Sequence, residues 1–383
     1  MTGRDLLMPT YPEPPVTFIS GAGSYLWDDH GHRYLDFVSG LAVTSLGHAH
    51  PAVAAAIADQ AHTLLHVSNL YGSVPALGVA ATLDRLIGGG GRVFFCNSGA
   101  EANECAFKLA RKWGGYGRFG VISAYGSFHG RTLAALAATG QPTKHEPFQP
   151  MPAGFRHVAW DDLDALEAAI DPSVAAVMLE PVQGEGGVNP ATAEYFAGVR
   201  ALCDDRGLLF MVDEVQTGLG RTGHWFGFQG LGVQPDVVTM AKALGTGMPI
   251  GACWARADVA DAFRPGDHAT TFGGQPLATA AAAATLAVME SEDVPARAAA
   301  AGESLRYQLE AIPGVESVRG AGLLLGAELA GKGAREVAAR ALEAGLVVNP
   351  VTGSALRLAP SLLVSPDEIA EAVAILRSVL AAA

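Results

Sequence analysis

Apolar residues along this chain fall into two rhythms. Short unbroken runs, such as Leu208-Leu209-Phe210-Met211-Val212 and Val237-Val238-Thr239-Met240, stand between longer stretches with helical spacing. A run that short, apolar at every position and rich in β-branched residues, is how a strand buried on both faces of a parallel sheet reads. From about residue 157 the alternation is regular: a strand at Val158-Ala159, a helix over 161–170, a strand from Ala175 to Leu179, a helix over 191–206, and then the run at 208–212. Upstream, Arg92 to Cys96 and Val121-Ile122-Ser123 read as further strands, with a helical pattern at 105–110 between them. Such alternation predicts an α/β fold with a mostly parallel sheet covered by helices on both faces, and ligands at the C-terminal strand edges.

The two ends of the chain read differently. A Pro-rich arm over residues 1–15 precedes Ser24 to Asp28 and Tyr34 to Phe37, which flank the turn composition Asp29-His30-Gly31-His32. That predicts a hairpin too small to hold its own core, which must dock on something distant in sequence. After an Ala-rich helix over 277–290 the composition shifts near residue 293. The remainder reads as helix, strands at 315–318 and 323–329, helix, a strand holding Arg357-Leu358, and a final helix. We therefore expect an N-terminal segment (1–50) packing with a small C-terminal α+β domain (293–383), and a large domain between them (51–292).

The polar residues at the strand ends suggest chemistry. The chain has five lysines, Lys108, Lys112, Lys144, Lys242 and Lys332. Lys108 and Lys112 fall on a polar helix face, and Lys144 and Lys332 lie in Pro- or Gly-flanked polar stretches where a solvated charge is cheap. Only Lys242 sits between a buried strand and a Gly-rich loop, where partial desolvation favours the neutral, nucleophilic amine. Position alone fits a snorkelling lysine equally well. Asp213 breaks the tie, because a buried carboxylate at a strand end needs a cation or several donors. Pyridoxal phosphate would supply the cation, with Asp213 at its ring nitrogen, Lys242 on its aldehyde and Gln216 near its ring hydroxyl. Asn97-Ser98-Gly99-Ala100, between a strand and a helix, is a turn where a phosphate can meet free N–H groups, although an ordinary N-cap has the same composition. Phe128 offers a face to a flat ring and Arg131 a fork to a carboxylate.

Composition narrows the partners. With 383 residues, half of them hydrophobic, a sizeable core is available, and a net charge of −13 argues against nucleic acid or an anionic membrane. Four cysteines without paired spacing read as reduced thiols, and no stretch has signal-peptide or membrane-span character, so a soluble cytoplasmic protein is expected. Three other motifs dissolve on inspection. His48-Ala49-His50 has no acid or Cys at ligand spacing, so no metal is expected. Gly88 to Gly91 lacks the Gly-Lys-Ser/Thr of a phosphate loop. Gly115 to Gly120 spells GxGxxG but follows a helix and precedes a strand, the reverse of the dinucleotide fingerprint.

Taken in order, Leu46-Gly47-His48, Asn97 to Ala102, Phe128-His129-Gly130-Arg131, Glu180-Pro181-Val182-Gln183-Gly184-Glu185, Asp213 to Gly218, Lys242 and Thr271-Phe272-Gly273-Gly274 make seven ordered anchors. Together they resemble the class III pyridoxal-phosphate-dependent aminotransferases of fold type I, from about residue 15 to the C-terminus, and among these the members that act on N-acetylornithine. The resemblance implies that Ser98, Gly99 and Ala100 bind the cofactor phosphate, Phe128 stacks on the ring, Asp213 pairs with the ring nitrogen and Lys242 holds the aldehyde. It further implies that Thr270 and Thr271 reach a substrate and the phosphate of a neighbouring subunit's site, which makes the protein a homodimer with shared sites. Arg131 would take a substrate carboxylate, and Arg357 a carboxylate of the glutamate/2-oxoglutarate pair, masked by Glu185 when the other substrate is bound. The sequence departs from the common pattern at Gln275, where Asn is usual, at Ala243 and Thr246, where Gly is frequent, and at the unusually small Gly72. Ornithine, succinylornithine, a succinyl-diaminopimelate precursor and 4-aminobutyrate stay open as donors. So do an aminomutase on the same fold and a nucleotide-dependent or binding protein.

Overall fold

The structure is a computed structural model describing residues 6–331 and 333–382. Lys332 and the first five residues of the Pro-rich arm lie outside the described residues. The centre is a seven-stranded sheet in the spatial order Gly91–Cys96, Gly251–Arg256, Val237–Met240, Leu209–Asp213, Val174–Leu179, Gly120–Ala124, Phe155–Val158. Every neighbouring pair is parallel except those made by Gly251–Arg256, which runs antiparallel to both its neighbours. That strand has no counterpart in the sequence reading, because Gly251-Ala252-Cys253-Trp254-Ala255-Arg256 lacks the β-branched residues that mark the others.

Leu209–Asp213 lies at the middle of the sheet with all five residues buried, and Val174–Leu179 beside it is buried at all six positions. Helices Gly99–Gly114 and Ala193–Arg206 are among those that cover the faces. The first is capped by Ser98, whose Oγ accepts from the Glu101 backbone N–H at 3.2 Å. The GxGxxG stretch is a left-handed glycine turn between that helix and the strand Gly120–Ala124, as its order in sequence implied. His48 Nε2 bonds Asp36 Oδ2 at 2.8 Å, a contact within the N-terminal segment.

The chain ends meet. Strands Phe18–Ala22, Tyr25–Asp28 and Arg33–Asp36 form a meander whose last strand pairs in parallel with Leu346–Val347. A second sheet, Val315–Ala321, Leu324–Leu329, Ala355–Leu358 and Asn349–Pro350, places Arg357 on an inner strand. Helices Val294–Glu310, Ala334–Glu343 and Pro366–Ala381 complete this region. A buried guanidinium joins it to the central loops: Arg221 donates to Leu323 O at 3.0 Å, Pro360 O at 2.6 Å and Ser45 Oγ at 3.3 Å.

Gly302 lies within Val294–Glu310, where alanine is ordinarily preferred by about 1 kcal/mol. A Cβ there would stand 2.1 Å from the carbonyl oxygen of Gly322, which is backbone and cannot swing aside. Gly302→Ala should therefore lower stability by about 1–3 kcal/mol and depress the melting temperature of the purified protein. A raised melting temperature would show that helix propensity outweighs the contact.

Candidate active site

The strand ends deliver their polar groups to one cavity of about 450 Å³. Asp213 closes its strand almost fully buried, where an unpartnered carboxylate is costly. Its Oδ1 accepts from the Val215 backbone N–H at 3.0 Å, and its Oδ2 accepts from His129 Nδ1 and from Asn103 Nδ2, both at 2.8 Å. Asn103 is fixed in turn, donating also to His129 O at 2.7 Å and accepting from Thr239 Oγ1 at 2.7 Å. A helix, a loop and the neighbouring strand thus hold the carboxylate in place. Glu180 ends the adjacent strand and accepts from the Phe128 backbone N–H at 3.2 Å. Burial, and then the charge of Asp213, push its carboxyl well above the usual range, so the neutral acid is favoured.

Lys242 enters the same cavity from the turn Lys242–Leu244 with a left-handed φ of 40°. Among the described residues its side chain has no hydrogen bond or ion pair. Burial, and then the charge of Arg357, bring its amine from an ordinary 10.5 down to about 8, although Glu185, Asp213 and Glu180 all act the other way. An unpartnered amine with a lowered pKa is a nucleophile near neutral pH. Opposite it, Ser98, Gly99 and Ala100 form the start of a 16-residue helix, whose free N–H groups and dipole suit an anion. Only glycine fits at 99, because a Cβ would lie 2.8 Å from both methyls of Val215. Phe128 and Val215 supply apolar wall.

Arg131, Glu185 and Gln216 line the cavity as well. Arg357 does not line it but stands behind, 2% exposed, donating to Glu185 Oε1 at 2.6 Å, Gln216 Oε1 at 3.2 Å and Asn349 Oδ1 at 2.7 Å. Burial works to raise the Glu185 carboxyl, but the Arg357 charge and hydrogen bond outweigh it and hold the group below its usual range. Gly184 gives Gln216 its room, since a Cβ there would meet the amide oxygen at 1.7 Å. Of the twelve residues singled out by sequence, nine wall this cavity and Arg357 backs it.

The remaining two do not reach the cavity within one chain. Thr270 Oγ1 accepts from Asn97 Nδ2 at 3.2 Å, and Thr271 is exposed and lines a separate hollow of about 320 Å³ with Gly72, Asn69 and Gln275. Asn69 Nδ2 ties that hollow together, donating to Thr270 O at 3.1 Å and Gly273 O at 2.9 Å. Sequence reasoning missed Asn103 and the role of His129. The signal was there for Asn103: an amide in a helix with Ala102, Cys105 and Ala106 around it must find buried partners. Lys144, expected to be solvated, needs correction: it is half-buried, with its ammonium 5.9 Å from the Phe128 ring centroid.

The donor set fits pyridoxal phosphate, with a helix start for its phosphate, an anchored carboxylate for a ring N–H and an unpartnered amine for an aldehyde. Comparison with known proteins points the same way. The family model for class-III aminotransferases matches residues 8–380. An acetylornithine aminotransferase from Caldanaerobacter subterraneus subsp. tengcongensis is 48% identical over 385 residues, covering 98% of each chain. Another from Mycobacterium tuberculosis is 47% identical over 379 residues, covering 98% of this chain and 94% of its own. Among solved structures, an ornithine aminotransferase from Toxoplasma gondii superimposes with a TM-score of 0.94 at 34% identity, over 99% of this chain and 93% of its own. The N-acetylornithine aminotransferase from Stenotrophomonas maltophilia gives 0.85 at 38% identity over 97% of each. A match that runs through nearly the whole chain and carries the fold with it leads to one conclusion: this chain belongs to the class-III aminotransferase family.

Proposed function

We propose that the protein moves the distal amino group of N2-acetyl-L-ornithine to 2-oxoglutarate, giving N-acetyl-L-glutamate 5-semialdehyde and L-glutamate, a step of arginine biosynthesis, with pyridoxal phosphate as cofactor. The observation that carries this reading is the buried Arg357 cation covered by the Glu185 carboxylate, with the uncovered Arg131 also at the cavity. Such a site can take in turn a substrate with one carboxylate and a substrate with two. The names of the relatives supply the donor. One observation favours an acyl group larger than acetyl, as in succinylornithine or a succinylated diaminopimelate precursor: a Cβ at Gly72 would meet nothing within 4 Å.

Bound in the cavity, pyridoxal phosphate supplies the electron sink that lets a C–H bond beside the amine ionise. Ser98, Gly99 and Ala100 would hold its phosphate, Phe128 would cover a ring face, Gln216 would serve the ring hydroxyl, and Asp213 would keep the ring nitrogen protonated. Lys242 would hold the aldehyde. Freed, its amine would take and return the proton at the substrate carbon, a task suited to a group that burial has brought to about 8. Arg131 takes the far carboxylate of either substrate, and Arg357 that of the glutamate pair alone, returning to Glu185 when a neutral donor end is present.

We infer a homodimer in which Thr270 and Thr271 serve the neighbouring subunit's site. Leu70, Tyr71 and Leu77, each at least 72% exposed, line the hollow of Thr271 and support such a contact. The pairing of Arg33–Asp36 with Leu346–Val347 supports the division into segments 1–50, 51–292 and 293–383. No helix among the described residues is long and apolar enough to cross a membrane, which accords with a cytoplasmic enzyme.

A panel of amines with 2-oxoglutarate as acceptor tests the donor. N-acetylornithine should give the highest kcat/KM, and turnover without any oxo acid would point to an aminomutase instead. Because burial lowers the Lys242 amine to about 8, capture of pyridoxal phosphate by the apoenzyme should rise with pH and level off above that value. A midpoint near that of free lysine would remove the argument for a desolvated amine. Arg357→Ala should slow the glutamate half-reaction at least about 100-fold and the acetylornithine half-reaction far less, while Arg131→Ala harms both. Single-turnover absorbance separates the halves, and equal losses for Arg357→Ala would rule out the Glu185 switch.

A further inference from the structure

Behind the cavity wall at Phe128 stands a cation that the functional reading does not use. The turn Pro142–His145 brings Lys144 back toward Phe128, where its Nζ stands 5.9 Å from the ring centroid and the Arg131 guanidinium 5.7 Å from the same ring. Its place is built in: Nζ donates to Gln141 Oε1, and Gln141 Nε2 donates to Ser127 O at 3.0 Å. We propose that Lys144 is a substrate-binding residue, the second cation beside Arg131 for the carboxylate that both substrates present at the outer end of the site. This rests on the role given to Arg131 above.

Two cations grouped on one ring repel each other, and an anion that visits both relieves the repulsion. The carboxylate within Coulombic reach of Lys144 is Glu185, which Arg357 already holds at 2.6 Å. Burial, then Arg131, lower the Lys144 pKa, and Glu185 only partly offsets them. With the Glu185–Arg357 pair intact, the open charge belongs to Arg131 and Lys144. Arg131 walls the cavity and Lys144 does not, so Lys144 acts on the end of the substrate remote from the reacting atoms. The competing account is a lysine that merely lays its stem along Phe128, and it predicts no effect on binding.

The test is calorimetric titration of the holoenzyme with glutarate, a dicarboxylate that cannot react, together with steady-state kinetics. Lys144→Gln should weaken glutarate binding about tenfold and raise KM for both the amino donor and 2-oxoglutarate by a similar factor, with kcat within about twofold. Lys144→Arg should restore most of the loss. Unchanged glutarate binding in Lys144→Gln, or an Arg variant that folds yet binds as weakly as the Gln variant, overturns the proposal. A wild-type holoenzyme that neither binds glutarate nor consumes 2-oxoglutarate overturns instead the functional reading beneath it.

Discussion

A carboxylate taken out of water must be held by other groups, and in this protein that requirement shapes the whole site. Asp213 sits at the end of the middle strand, and Asn103, His129 and the Val215 N–H converge on it from three elements. Its negative charge is then felt by every neighbour. Glu180, a short way along the sheet edge, is driven toward its neutral form by burial and by that charge. Lys242 is left with an amine that desolvation has weakened as a base, in spite of the carboxylates around it. One anchored anion, beside an acid pushed toward its neutral form and an amine that gives up its proton more readily than a free lysine, is a place where a protonated heterocycle fits.

The sheet alone does not complete the site. Arg357 and Asn349 come from the C-terminal region and Val43 from the N-terminal segment, and the three reach the cavity or its back wall only because the chain ends pair with each other. Asp213 closes an inner strand of the large sheet and Lys242 stands in the turn after its neighbour, whereas Arg357 stands on an inner strand of the second sheet, so both sheets have to be in place before these charges can meet.

The parts of the fold with strict periodicity were legible in the sequence. Leu209–Asp213 and Val174–Leu179 announce themselves by unbroken apolar runs, and the polar residues after them mark the edge that carries chemistry. Lys242 could be picked from five lysines because it alone follows a buried strand and precedes a Gly-rich loop. The antiparallel strand Gly251–Arg256 was not legible, since alanine, cysteine and glycine dominate it and its place depends on the neighbours that bury it. Asn103 and Lys144 were missed for a related reason. Their partners lie far along the chain or across a turn, and no local spacing encodes a contact such as Asn103 with Asp213, 110 residues apart.

Arg221 ties these levels together in a way that bears on how the chain assembles. Its acceptors Leu323, Pro360 and Ser45 are 102, 139 and 176 residues away, and none carries a charge. Until all three have arrived, a guanidinium at the heart of the loops would be enclosed without its oxygens, so the surrounding segments are held open and wet. The clasp therefore closes only when Ser45, Leu323 and Pro360 have all been brought to one place. A chain stopped short of Pro360 would leave an N–H of this guanidinium without its oxygen and the seam between Ser45 and Leu323 unsealed.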